Sequence, residues 1–158
     1  MSTDPQNTPS RRIVVGVDSS PHSRAALRWA LGQAVLTGAT LDAVACWERP
    51  AFAGGYAPMV YVDIDLSGPT GEAAASAVAS AVAATPGAGD VTVQTRTVEG
   101  YPSRVLVEAA VGAELLVVGS RGHGELSGLL LGSVGLHCAT HSPCPVLIVH
   151  GEPGASSV

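Results

Sequence analysis

With 158 residues, 46% of them hydrophobic and 13% charged, the chain is long enough for one domain with a real core, and global disorder is excluded. Aromatics make up only 4%, so Ala, Val and Leu must build the interior. A formal charge of −5 argues against general attraction to nucleic acid or anionic membrane.

The start, "MSTDPQNTPSRR", is polar, carries two prolines and lacks the apolar centre of a signal peptide. No apolar run approaches the ~20 residues of a membrane span. A cytoplasmic domain over residues 11–150 is the expectation, with a disordered tail at 1–10 and a flexible one at 151–158.

Inside that domain the pattern alternates. "RIVVGVD" (12–18) is a short β-branched run and predicts a buried strand. The next segment, 20–38, spaces Ala26, Leu27, Ala30, Leu31, Ala34 and Val35 as a helix does, with Ser20 as cap, Pro21 in the first turn and Gly38 as terminator. "TLDAVACW" (40–47) predicts a second strand. Residues 48–71 are rich in Gly and Pro and read as a surface excursion or lid, with a short element around Val60 to Leu66. Alanines give 71–85 high helix propensity. "DVTVQTRTV" (90–98) alternates as a strand with one polar face. A helix over 101–111, a buried strand over 114–119, a helix over 133–141 and a strand over 145–150 complete the chain.

Strands joined by helical crossovers are parallel and right-handed, so the fold class is a doubly wound, Rossmann-like five-stranded parallel sheet with helices on both faces. Such sheets bind ligands beyond the carboxyl ends of their strands, where the strand order reverses.

Three cysteines, Cys46, Cys138 and Cys144, form no disulfide framework and suit a reducing compartment. His137, Cys138, His141 and Cys144 crowd one short stretch, but adjacent His137 and Cys138 point apart on a helix, and we expect no metal there. Trp29 and Trp47 read as packing groups, and His137, His141 and His150 as structural.

Two strand ends carry the chemistry. The first closes in Val17-Asp18-Ser19-Ser20, and the fourth runs into "GSRGHGELSGLLLGS" (119–133). Glycine lets a backbone approach a ligand closely, and free amides at a helix start match an anion by hydrogen bonding and dipole. Arg121 adds a fixed positive charge, or is a solvated surface group. Ser133 either caps the last helix or binds phosphate; Asp18 is a ligand-binding acid or a helix-start acid; Ser19 and Ser20 read as caps. His22 and His123 flank this presumed cleft. No lysine follows the final glycine, so this is not a P-loop.

The spacing Gly119-x2-Gly122-x9-Gly132-Ser133 resembles the nucleotide-binding signature of the universal stress protein family, in its ATP-binding form. Other matching segments, in chain order, are "VVGVDxS", "EGxP" at Glu99, Gly100 and Pro102, "LLVVGSRGHG", and "CPVLIVH". The resemblance implies strand order 3-2-1-4-5, which puts Asp18 and Gly119 on opposite lips of one crevice. It implies that Asp18 holds the ribose hydroxyls and that Gly16 and Val17 line the adenine side. Main-chain groups around Ala45 and Cys46 would meet the adenine edge, and Val118 and Gly119 would pack on the sugar. Arg121, Gly122, Gly132, Ser133 and Val134 would wrap the phosphates, with a divalent ion such as Mg2+ bridging them.

The family likeness further implies a homodimer through the apolar last strand, 145–150, and a sensor or regulator with at most slow ATP hydrolysis. A binder of AMP or cyclic AMP is the alternative for the same cleft. Electron-transfer flavoproteins and adenylating enzymes share related folds, and a member that has lost its nucleotide would act through partners alone.

Overall fold

The computed structural model describes residues 11–49, 65–122 and 131–151. Within it run β1 (Arg12–Val17), α1 (Pro21–Thr37), β2 (Thr40–Trp47), α2 (Ser67–Ala84), a 3₁₀ turn (Ala88–Asp90), β3 (Val93–Glu99), α3 (Pro102–Ala109), β4 (Leu115–Gly119), α4 (Ser133–His141) and β5 (Val146–Val149). All strand pairs are parallel, in the order β3-β2-β1-β4-β5. The expected doubly wound sheet is the fold observed. The expected tail at 1–10, all of the expected tail at 151–158 but Gly151, the centre of the 48–71 segment and His123 lie outside the described residues.

Alternation along each strand splits the core in two. Ile13, Val15, Val17, Leu41, Ala43, Ala45 and Val117 face α1 and α2. Val14, Val44, Leu116 and Val118 face α3 and α4, with Leu106 and Cys138 packed on them. Each face buries a separate cluster of small aliphatic groups, as the scarcity of aromatics requires.

The ends of α1 follow the sequence signals. Ser20 is the N-cap, accepting from the Ser23 N–H at 3.2 Å, and Gly38 closes the helix in the left-handed region at φ 72°. Helix α2 differs, starting four residues before the expected 71. Gly68 and Pro69 read as loop signals, yet the carboxylate of Asp65 accepts from the Ser67 N–H at 2.8 Å and Pro69 sits in the first turn, where it needs no donor. The third strand also begins later than expected, at Val93, because the chain first makes the turn at Ala88–Asp90. Trp47 is buried as expected, whereas Trp29 is 40% exposed on α1.

At the amino ends of the strands Asp42, 4% exposed, accepts from Arg12 and, through two nitrogens, from Arg96. Arg12 also donates to the carbonyls of Ala109 and Val111 where α3 ends. This cluster ties α3 to three strands at the end of the sheet away from the crevice, which fixes the wall that α3 lends to it.

Candidate functional site

The strand order reverses between β1 and β4, and their carboxyl ends part to form two lips. On the first, Asp18 follows β1 and is held twice. Its N–H donates to Ser23 Oγ at 2.8 Å, and its Oδ1 accepts from the Ser20 N–H at 2.8 Å and from the Ser20 hydroxyl. The Ser23 hydroxyl in turn donates to the Gly16 carbonyl at 3.4 Å. Ser20 and Ser23 are both buried. Ser20 is therefore a cap, as read from sequence, but it also engages the carboxylate. Ser23 was missed; the only trace of it is a second serine three residues after the cap.

The second lip is made by backbone. Ser120 donates its N–H to Val149 at 2.9 Å, and its carbonyl accepts the Gly132 N–H at 2.7 Å. Gly132 gives its amide to Ser120 and serves as the N-cap of α4, at φ −74° and ψ 167°. Ser133, offered as cap or phosphate ligand, is the first helical residue and not the cap. The first bond inside α4 runs from Leu136 N–H to Gly132 C=O. The amides of Ser133, Val134 and Gly135 consequently have no acceptor within the helix.

Glycines let these parts meet. A Cβ on Gly119 would lie 2.8–3.0 Å from backbone and Cβ atoms of His22, so the first turn of α1 rests on the end of β4. His22 fills that space and, from the other side, packs its ring against Gly151. A Cβ on Gly122 would stand 3.1 Å from Asp18 Oδ2, which faces the opposite lip. At Gly16 the missing side chain is replaced by Leu106, whose Cδ1 comes within 2.9 Å of the Cβ position.

Between the lips is a cavity of about 340 Å³. It gathers Gly16, Val17 and Asp18 from the first lip, Cys46 from the end of β2, Val118, Gly119, Arg121 and Gly122 from the second, and Gly132, Ser133 and Val134 from the start of α4. The residues expected to contact the nucleotide all line this one space except Ala45, and His22, expected to flank it, does not line it. Ala45 belongs instead to a larger hollow of about 860 Å³ between α1 and α2, which shares Val17, Asp18 and Cys46 with the smaller cleft. Pro102, quoted from the sequence only as part of "EGxP", also lines the cleft, and Ser23, Val44, Leu106, Ser120 and Gly135, not named from the sequence as ligand contacts, complete its wall.

Cys46 is no nucleophile at neutral pH. Burial, then the neighbouring Cys138 and Glu48, push its thiol up from 9.0 to about 12. Burial raises Cys138 to about 11. Among the described residues no three His, Cys, Asp or Glu side chains converge as metal ligands; His137 and His141 stack on each other at 4.2 Å.

The model of the universal stress protein family matches residues 9–150. The chain belongs to that family. A universal stress protein of Mycolicibacterium smegmatis is 35% identical over 152 residues, covering 91% of this chain and 49% of its own length. This universal stress protein domain thus spans about half the length of the curated relatives it matches. Among solved structures, a universal stress protein in complex with cAMP is 31% identical with a TM-score of 0.63, covering 92% of this chain and all of the other. A family protein of Arabidopsis thaliana with AMP bound shares the fold at 19% identity and a TM-score of 0.57, covering 93% and 96% of the two chains. Among the described residues no helix is long and apolar enough to cross a membrane.

Proposed function

We propose that this universal stress protein binds an adenine nucleotide, ATP foremost, between β1 and β4 and acts as a cytoplasmic, nucleotide-dependent regulator of a stress response. The observation that carries this reading is the pairing of opposite chemistries across one cleft. Three helix-start amides, at Ser133, Val134 and Gly135, lack intrahelical acceptors, and an acid, Asp18, stands on the facing lip. Amides and helix dipole suit phosphate oxygens, with Arg121 beside them; a carboxylate suits sugar hydroxyls. Cys46, Val17 and Gly16 leave an apolar, backbone-lined floor for the base. A divalent ion such as Mg2+ would be held mainly by the phosphates, since Asp18 is the one acid among the described lining residues. That same scarcity of acids and bases supports slow hydrolysis at most.

A second reading, binding of AMP or cyclic AMP, is favoured by the size of the cleft. About 340 Å³ lies near the lower end of the ~300–1,000 Å³ usual for ligand pockets. The complex of a relative with cAMP points the same way.

Calorimetric titration of the purified chain with ATP, AMP and cyclic AMP separates these readings. We expect ATP to bind, and Gly122→Val to abolish that binding while the fold persists. A folded wild type that binds none of the three ends the proposal.

A homodimer through β5 belongs to the same proposal. Among the described residues β5 pairs with β4 alone, at the end of the strand order, and Val146, Leu147, Ile148 and Val149 are all half-buried. An apolar edge of this kind tends to pair with another chain. Ile148→Lys should shift the protein towards monomer in light scattering; an unchanged dimer, or a monomeric wild type, removes the assignment.

A further inference from the structure

We infer that Ser23 is the positioning residue for Asp18, and that Ser23 and Ser20 together leave the carboxylate one open oxygen, so that the cleft specifies a single sugar hydroxyl. The inference rests on the proposed nucleotide reading and deepens it.

The hydrogen bonds form a closed circuit in which every proton has one place to go. Ser20 donates its hydroxyl to Asp18 Oδ1 and accepts the Ser23 N–H with the same oxygen. The Ser23 hydroxyl donates to Gly16 C=O and accepts the Asp18 N–H. Neither hydroxyl keeps a proton for a ligand: both residues are buried, at 3% and 5% exposure, and although Ser23 lines the cleft its hydroxyl proton is held by the Gly16 carbonyl. They act through Asp18.

The circuit also treats the two carboxylate oxygens differently. Oδ1 takes two donors from Ser20, whereas Oδ2 meets no donor among the described residues and faces Gly122 across the cleft. Two vicinal ribose hydroxyls gripping one carboxylate normally use both oxygens. Here Oδ1 is engaged before any ligand arrives, so one hydroxyl can be read strongly and its neighbour cannot. Because Ser23 sits on α1 and bonds to the main chain at both Gly16 and Asp18, it sets where the carboxylate points as well as how firmly it is held.

The wild type is titrated with ATP and AMP, and the 2′-deoxy and 3′-deoxy forms of the tighter binder are then compared. We expect loss of one hydroxyl to weaken binding about tenfold and loss of the other less than about threefold, the size of one hydrogen bond to a charged group against none. Ser23→Ala should weaken the parent nucleotide about tenfold and flatten the difference between the two deoxy forms, while leaving the response to an added phosphate, ATP against AMP, as in the wild type. Ser20→Ala keeps the Ser23 bonds to Gly16 and Asp18 and strips Oδ1 of its hydroxyl donor, leaving only the backbone N–H on it, so the gap between the two deoxy forms should narrow. This second variant decides the matter if Ser23→Ala fails to fold. Equal penalties in the wild type, or a wild-type ratio retained in both variants, would overturn the inference and leave nucleotide binding intact. No binding of ATP or AMP by the wild type would overturn both.

Discussion

The two lips of the cleft are built by different means. On the first, side chains do the holding: two buried serines, an acid and a helix cap form a circuit around Asp18. On the second, the described residues Ser120, Gly132 and Val149 are joined main chain to main chain, and glycines let helices and strands touch. A circuit of side chains fixes one group in one orientation, which is what selection of a sugar hydroxyl demands. A lip of bare backbone offers several amides at once, which suits phosphate groups carrying many equivalent oxygens. The first lip should therefore fail by losing selectivity, and the second by losing shape.

The largest effect is expected where shape is least forgiving. In Gly119→Ala the new methyl meets the carbonyl carbon and oxygen of His22 at 2.8–3.0 Å, and backbone at the start of a helix cannot swing aside. Overpacking of this sort costs about 3 kcal/mol, with a fall in melting temperature on the order of 10 °C. Urea unfolding measures it, and a variant as stable as the parent would show that α1 does not rest on β4 as described. Next comes Asp18→Ala on the other lip. It removes the acceptor for Ser20 and the proposed sugar ligand, and nucleotide affinity should drop by about 2 kcal/mol, the worth of a hydrogen bond to a charged group. Titration calorimetry checks it; unchanged affinity would place the sugar elsewhere.

Gly122→Ala joins the two lips. Its methyl would stand 3.1 Å from Asp18 Oδ2, the movable end of a side chain, so folding stability should change by under about 0.5 kcal/mol. Affinity should fall by about 1 kcal/mol, because the carboxylate must be pushed from the direction its serines set. A stability loss matching that of Gly119→Ala would erase the distinction between a glycine that serves packing and one that serves the cleft.

How far the sequence revealed this site follows from the same division. The glycine lip was legible because Gly119, Gly122 and Gly132 leave a spacing that survives in one dimension. What spacing does not carry is the job of each glycine. Gly119 answers to His22, nearly a hundred positions earlier, and Gly132 gives its amide to the Ser120 carbonyl. Ser20 and Pro21 announced the start of α1 through local rules, and the order of apolar runs gave the sheet. Ser23 stayed hidden because it reads as one more polar residue in a first helical turn; its burial and its bond to the Asp18 backbone exist only once β1 and α1 are folded together. The start of α2 was missed for the opposite reason. Gly68, Pro69 and Gly71 are strong loop signals, and they yielded to the Asp65 carboxylate accepting the Ser67 N–H and to Ala74, Val78 and Ala81 packing on the sheet.

The floor between the lips gives the smallest expected effect, and its sign can be worked out. Cys46 and Cys138 lie on the α3 and α4 face of the sheet, and burial raises both thiols, from 9.0 to about 12 and about 11. Above about pH 9 the unfolded chain releases these protons while the folded one keeps them. The folded state then binds more protons, so stability falls as pH rises from about 9 towards 12, and below about 8 there is no effect. Cys46 is only half-buried, and solvent screens its part, so between pH 7.5 and 9.5 the wild type should lose under about 1 kcal/mol. Urea midpoints at the two values should show this loss, and a Cys46→Ser, Cys138→Ala double variant should show less of it. An unchanged slope in the double variant would mean the floor is wetter than its packing implies. The base of a nucleotide would then meet water where we have placed apolar wall, and Cys46 would react with alkylating agents at neutral pH as a free thiol does.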